Sequence, residues 1–267
     1  MTRLKPKKSL GQNFLFDKNI REKIIRSCDL GAEDIVLEIG SGTGILTSRL
    51  AEHVKQIFAV EIDKNLHGFL EENLKNCGNC SLIKGDILKL DINKFLKEQG
   101  ITRKIKVIGN IPYYISSPII EYLIKYRGNL DSVFLTVQKE FGRRMAASPG
   151  SKDYSSFSCF VQYYALTKIL FEIKRGSFRP EPKVDSVFLK LKLRETPAVK
   201  VEDEELFFKL IRSAFGQRRK TLRNSLESLT GKETLENFFK ESGLNRNARP
   251  ETLSLDNFAL MSKILKK

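Results

Sequence analysis

No stretch of this 267-residue sequence approaches the roughly 18–20 consecutive apolar residues that a membrane-spanning helix needs. A helical membrane protein is therefore not expected. The basic opening MTRLKPKKSL runs into GQNFLFDKNI rather than into an apolar core, so no secretory signal is expected either. Metal-ligating residues are few and badly spaced. The two histidines, His53 and His67, bear no ligand spacing to the cysteines. Cys77 and Cys80 form a C-x-x-C with no second pair after it, and Cys28 and Cys159 stand alone. Four free thiols, no bound metal and a reducing cytoplasmic compartment are the expectation. Internal repeats and low-complexity tracts are absent.

Acidic residues are also in short supply. Forty-seven Lys and Arg face 32 Asp and Glu, a net charge of +15, with a sequence pI of about 9.6. Such a surplus points to a polyanionic partner. The imbalance is uneven. Between Ser27 and Gly100 there are 12 acids against 8 bases. The flanks reverse this: Arg3, Lys5, Lys7 and Lys8 precede any acid. Lys209, Arg212, Arg218, Arg219, Lys220 and Arg223 fall in an acid-free stretch from Leu206 to Leu226. Two single-sign clusters around an acidic centre suit phosphate contacts better than a generally solvated face.

Hydrophobic residues make up 41% of the chain, enough for a sizeable core. Apolar runs of strand length recur at 35–39, 56–62, 80–84, 106–109, 132–137, 168–173 and 186–193. Helical spacing fills most of the gaps, at 18–28, 44–52, 65–76, 117–126 and 139–147. This alternation predicts a doubly wound, mostly parallel sheet of about seven strands. The last two strands lie close together with no good helix between them, which predicts an antiparallel pair at one edge. Composition changes across residues 194–203. Beyond it only helical patterns remain, at 204–215, 220–229, 232–241 and 255–265. The expected organisation is an α/β domain over residues 1–194 and a small all-α domain over 195–267.

The chemistry concentrates at strand ends. Val36-Leu-Glu-Ile-Gly-Ser-Gly-Thr-Gly44 reads as a strand entering a Gly-rich turn. Glycines permit a sharp turn and close approach of backbone to a ligand. The spacing is E-x-G-x-G-x-G (Glu38, Gly40, Gly42, Gly44), with Ile45 where a dinucleotide fingerprint needs its third glycine. The Lys-Ser/Thr ending of a nucleoside triphosphate loop is missing as well. The next strand ends at Glu61, placed to accept hydrogen bonds from ribose hydroxyls, and the third ends at Asp86, placed to hold an adenine amino group. Together these resemble the S-adenosylmethionine site of class I methyltransferases.

The fourth strand ends in GNIPYYISSP, residues 109–118. Asn110-Ile-Pro-Tyr113 resembles the N/D-P-P-Y/F signature of amino-methyltransferases. An exocyclic amine on a base is a poor nucleophile because its lone pair is delocalised into the ring. The Asn110 side-chain oxygen can accept one amine hydrogen and the Ile111 carbonyl the other, with Pro112 fixing its direction. Tyr113 offers a π-face to an extruded base. No general base is evident.

At this point the resemblance widens. The segments 9–15 (SLGQNFL), 109–118, 137–140 (VQKE), 178–187 (FRPEPKVDSV) and 214–224 (AFGQRRKTLRN), with the glycine loop, are similar to the small-subunit rRNA adenine N6-dimethyltransferases (KsgA type). The likeness spans nearly the whole chain in order. It implies methylation of the N6 amines of two adjacent adenosines near the 3′ end of small-subunit (16S) rRNA during ribosome assembly. The implied partner is the rRNA or pre-30S subunit, the cofactor is S-adenosylmethionine, and a monomer is expected. Asn13, Leu15, Gly40, Gly42, Glu61, Asp86 and Asn110 would bind the cofactor. Asn110, Pro112, Tyr113 and Phe178 would form the catalytic set, with Phe178 stacking opposite Tyr113. Arg179 and Lys183 would contact phosphate, and the basic C-terminal segment would dock rRNA. Ile111 replaces a commoner Leu and keeps in view the Erm-type large-subunit rRNA methyltransferases, in which Asn-Ile-Pro is frequent. The segments 178–184 and 216–224 fit the small-subunit group better.

Overall fold

The computed structural model describes residues 6–217 and 220–266. Arg3, Lys5, Arg218 and Arg219 of the two basic clusters lie outside the described residues, as does the side chain of Lys8. The chain divides into two compact units, one comprising residues 1–142 and 167–195, the other residues 143–166 and 196–267.

The first unit begins with β1 (Phe14–Leu15), α1 (Lys18–Ser27), β2 (Ile35–Ile39), α2 (Ile45–Ala51), β3 (Gln56–Glu61) and α3 (Lys64–Leu74). It continues with β4 (Cys80–Lys84), α4 (Ile92–Glu98), β5 (Ile105–Asn110), α5 (Ser116–Lys125), β6 (Leu130–Gln138) and the start of α6 (Lys139–Ala146). After an excursion through α7 (Ser156–Tyr164) it takes up most of β7 (Ala165–Ile173), then β8 (Phe178–Arg179) and β9 (Ser186–Leu193). Seven strands form one sheet in the order β4-β3-β2-β5-β6-β9-β7. The pairs β2·β3, β2·β5, β3·β4 and β5·β6 are parallel, whereas β9 runs antiparallel to β6. The last two strands, β9 and β7, are neighbours at one edge of the sheet as expected. All five residues of β2 are buried, the mark of a central strand covered on both faces. The strand order reverses between β2 and β5, which is where a doubly wound sheet opens a crevice at its carboxyl ends.

Local chemistry sets the helix starts. Asp17 accepts the Asn19 and Ile20 N–H groups at 2.9 and 3.2 Å, and Asp91 accepts that of Lys94 at 3.1 Å. Two helices escaped the sequence patterns, as did the two-residue strands β1 and β8. Helix α4 has only seven residues, too few for a clear period. Helix α7 starts on a capping box built from two serines, Ser155 and Ser158, instead of the usual Ser/Thr with Glu.

The second unit gathers α7, α8 (Glu204–Gly216), α9 (Leu222–Thr230), α10 (Lys232–Ser242) and α11 (Leu255–Lys266). The four C-terminal helices match the four helical patterns. Residues 143–166 join them because α7 carries aromatics that need partners on α8. The Tyr163 ring lies 5.1 Å from Phe207 and 5.2 Å from Phe208, and the Tyr163 and Tyr164 hydroxyls both donate to Glu204. Lys209, Arg212 and Lys220 are exposed, and Arg223 faces Glu227 and Glu236 at 4.0 and 3.8 Å.

Tight packing makes one glycine of α6 hard to replace. A Cβ on Gly142 would lie 2.3 Å from the Val187 Cγ2 of β9. Gly142→Ala is expected to lower unfolding stability by about 1–3 kcal/mol, as overpacking does. Gly68→Ala, on the exposed side of α3 with nothing within 4 Å, should raise it by about 0.5–1 kcal/mol. Urea midpoints of the two variants check both signs.

Candidate active site

The crevice lies at the carboxyl ends of β2, β3, β4 and β5. Its floor is the glycine loop. Gly40, Gly42 and Gly44 have φ of +73°, +60° and +80°, values that side chains resist. The loop is tied to the end of β3: the Gly40 and Ser41 N–H groups donate to Val60 O at 2.9 and 3.3 Å. The Gly42 N–H donates to Glu61 Oε2 at 2.9 Å, and the Asp63 N–H to Oε1 at 2.8 Å. Each Glu61 oxygen thus accepts one fixed donor and keeps a second lone pair for a ligand. Burial pushes the Glu61 carboxyl above its ordinary range, against the two backbone hydrogen bonds. Beneath the loop, Glu38 is fully enclosed; burial raises it to about 7, opposed by a 2.5 Å hydrogen bond from the Thr47 hydroxyl. Asp86 sits at the crevice wall and accepts the Leu88 N–H at 3.0 Å.

Asn110 ends β5 at the switch point. Its Nδ2 donates to the Asn13 carbonyl at 2.9 Å. A carbonyl can only accept, so the amide's orientation is fixed and Oδ1 is left as the free acceptor. The Tyr113 hydroxyl is 2.6 Å from Ser186 Oγ, which anchors the ring. Burial moves that phenol upward. Tyr114 is 61% exposed, and a Cβ on Gly11 would come within 3.1 Å of its ring. Tyr114 therefore meets the N-terminal segment at the crevice mouth.

The N-terminal segment is latched across one side. Asp63, only 3% exposed, accepts Lys7 Nζ at 2.5 Å and Gln12 Nε2 at 2.8 Å, while the Lys7 N–H donates to Gln12 Oε1 at 2.7 Å. Burial pushes the Asp63 carboxyl up, and the Lys7 and Gln12 hydrogen bonds more than offset it, leaving it below the usual range. Asp63 also caps α3 through the Asn65 N–H at 3.0 Å. The sequence placed Lys7 in a basic cluster suited to phosphate, whereas here its ammonium is spent on Asp63; Gln12 was not a site candidate, an amide before a strand being too common a signal to select.

The structure brings together Asn13, Gly40, Gly42, Glu61, Asp86, Asn110, Pro112 and Tyr113, all of which line the crevice. Leu15 and Phe178 do not line it. Register explains the difference. Strand β1 pairs antiparallel with β8, Phe14 opposite Arg179 and Leu15 opposite Phe178. Side chains alternate across a strand. Leu15 and Phe178 share the inner face, where Phe178 is 1% exposed among Ile24, Ile108, Phe134 and Phe188 and Leu15 packs against that cluster. Phe178 thus offers no free stacking face here. The crevice instead includes Ile62 and Ile87, apolar walls that no motif flagged.

The lining fits S-adenosylmethionine. A chain with net charge +15 builds a crevice lined by Glu61 and Asp86 and, among the described residues, by no Lys or Arg. That polarity suits a cationic nucleoside and disfavours a pyrophosphate. At Gly40 a Cβ would meet Asn110 O in ordinary contact at 3.5 Å, so glycine is favoured there by its φ of +73° and not by lack of space. Sheet and crevice together define a methyltransferase of the doubly wound class.

The family model for ribosomal RNA adenine dimethylase matches residues 3–267. The chain belongs to that family and is an rRNA methyltransferase that uses S-adenosylmethionine. It is 43% identical over 256 residues to the ribosomal RNA small subunit methyltransferase A of Clostridium botulinum (strain Kyoto / Type A2), covering 96% of this chain and 92% of the relative. It is 44% identical to the protein of that name from Lachnoclostridium phytofermentans, over 97% of this chain and 91% of the relative. Among solved structures, a dimethyladenosine transferase from Plasmodium falciparum superposes with a TM-score of 0.75 at 27% identity, covering 93% and 95% of the two chains. The 23S rRNA methyltransferase ErmE gives 0.77 at 23% identity, over 96% and 100%, a likeness of fold.

Two outcomes follow from this geometry. Lys7→Met removes a charge-assisted hydrogen bond from the latch and should raise the dissociation constant for S-adenosylmethionine about three- to tenfold by calorimetry, since Lys7 is part-exposed. Glu38 binds a proton more tightly folded than unfolded, so its contribution to stability falls as pH rises from about 4.5 to about 7. Wild type should therefore lose stability relative to Glu38→Gln between pH 5 and pH 8, read from urea midpoints of both proteins.

Proposed function

We propose that this enzyme dimethylates the N6 amines of two adjacent adenosines near the 3′ end of 16S rRNA, acting on the rRNA within an assembling small subunit. The observation that carries the reading is Asn110, whose Oδ1 is held as a free acceptor beside a cation-free nucleoside crevice. The names of the relatives at 43–44% identity support the small-subunit substrate over the large-subunit alternative. We further propose that it works as a monomer in the cytoplasm; no helix among the described residues is long and apolar enough to cross a membrane.

The bound cofactor supplies an activated methyl group carried on a sulfonium. Glu61, with one lone pair on each oxygen uncommitted, accepts from the ribose hydroxyls. Asp86 would hold the adenine amino group, with Ile62 and Ile87 supplying apolar lining. On the substrate side, Asn110 Oδ1 accepts one hydrogen of the target amine and the Ile111 carbonyl accepts the other. Accepting both favours pyramidal nitrogen and directs its lone pair into the crevice. Pro112 limits the freedom of that carbonyl, and Tyr113 stacks on the base with its hydroxyl tethered to Ser186. The rate then rests on positioning and electrostatics, with the proton released to water. The exposed Lys209, Arg212 and Lys220 of the helical C-terminal region, 195–267, meet rRNA phosphates.

Undermethylated small subunits incubated with methyl-labelled S-adenosylmethionine should acquire N6,N6-dimethyladenosine at the two adjacent 3′ adenosines, mapped by mass spectrometry of nuclease fragments. Label confined to large-subunit RNA, or none, would overturn the assignment. Tyr113→Ala should lower kcat/KM on the order of tenfold to a hundredfold through lost stacking.

A further inference from the structure

Beside the crevice lies a second, shallower pocket on the outer face of the β1–β8 ribbon. Phe14, Phe16, Ile45, Arg179 and Pro180 are among its walls. Phe14 also lines the crevice, so one ring separates and joins the two. The apolar part of this pocket is left open to solvent: Phe16 is 47% and Ile45 45% exposed. The Arg179 guanidinium lies over the Phe16 ring, 4.5 Å from its centroid. Its Nη1 is held from behind by the carbonyls of Phe178 at 3.0 Å and Gly176 at 3.4 Å. Among the described residues it has no carboxylate partner, and its remaining donors have no hydrogen-bond acceptor. The platform is rigid. The Phe16 N–H donates to Ser177 O at 3.1 Å, and Arg21 Nη1 clamps the Leu15 and Phe16 carbonyls at 3.1 and 2.7 Å.

A nucleoside that enters the crevice brings a phosphodiester on each side. Among the described residues the crevice lining has no cation to receive either, so those charges fall to the rim. Arg179 is a cation on the rim, unneutralised, next to an open aromatic and aliphatic wall. That combination is how single-stranded nucleic acid is held: a base against apolar and π surfaces, its phosphate on a neighbouring guanidinium.

We propose that this pocket binds the nucleotide adjacent to the one being methylated, its base against Phe14, Phe16 and Ile45 and its phosphodiester on Arg179. The inference rests on the reading that an adenosine of rRNA occupies the crevice. Because the substrate carries two adjacent adenosines, the occupant during one of the two rounds is the other adenosine. The pocket therefore sets which of the pair enters the crevice, and the two positions depend on it unequally.

The test is steady-state methylation of undermethylated small subunits by wild type, Phe16→Ala, Phe16→Tyr and Arg179→Gln, with product mapped at each adenosine. Phe16→Ala should raise KM for subunits roughly tenfold, the loss expected for one stacked base. It should leave KM for S-adenosylmethionine within twofold and shift the ratio of the two products. Phe16→Tyr, which keeps the ring, should restore the wild-type values. Arg179→Gln should lower the slope of log affinity for subunits against log salt by about one phosphate contact. Three results would overturn the proposal: a subunit KM unchanged in Phe16→Ala, a cofactor KM rising in parallel with it, or a salt slope unchanged in Arg179→Gln. Failure of the underlying assignment would be distinct, because wild type itself would then leave both adenosines unmodified.

Discussion

The active site depends on a single hydrogen bond that fixes which way an amide points. Asn110 Nδ2 donates to the Asn13 carbonyl, and this commits Oδ1 to the crevice as an acceptor. Without that partner the amide could turn over and present donors to a target amine that itself has only hydrogens to give. The partner comes from 97 residues earlier in the chain. The whole N-terminal segment is thus part of the site, and its attachments serve the same end. Lys7 and Gln12 fasten it to Asp63, and the β1–β8 ribbon fastens its far side. Asp63 in turn follows Glu61, the carboxylate that ties the glycine loop to β3. Asn110, the glycine loop and the N-terminal segment are joined through one series of hydrogen bonds.

Charge is divided in a way that matches this arrangement. The surplus of Lys and Arg belongs to the surface, where Lys209, Arg212 and Lys220 are exposed. The crevice lining carries carboxylates instead. A site built for a sulfonium nucleoside has to be acidic, while a protein that handles rRNA has to be basic. The two requirements are met in adjoining pockets that share Phe14, with Arg179 on the ribbon's outer face and Glu61 within the crevice.

Much of this was legible in the sequence, for reasons that can be named. The seven strands are short apolar runs separated by helical periods, and the strand-end motifs carry their own geometry: Gly40, Gly42, Glu61, Asp86 and Asn110 all reach the crevice. Leu15 and Phe178 were misplaced because a two-residue ribbon has no readable period, so its register, and with it the inner or outer face of each residue, is set only by tertiary pairing. The pairing of Lys7 and Gln12 with Asp63 was missed because that partner lies more than fifty residues away. Residues 143–166 carry no compositional break, yet the aromatics of α7 pack with Phe207 and Phe208 of α8.

The most direct test of this account is the turnover of Asn110→Asp on undermethylated small subunits. Aspartate keeps the size and an acceptor oxygen but cannot donate to the Asn13 carbonyl. If that donation orients the site, kcat falls on the order of a hundredfold, as misplacement of a reacting group does. Turnover at the wild-type rate would contradict the account.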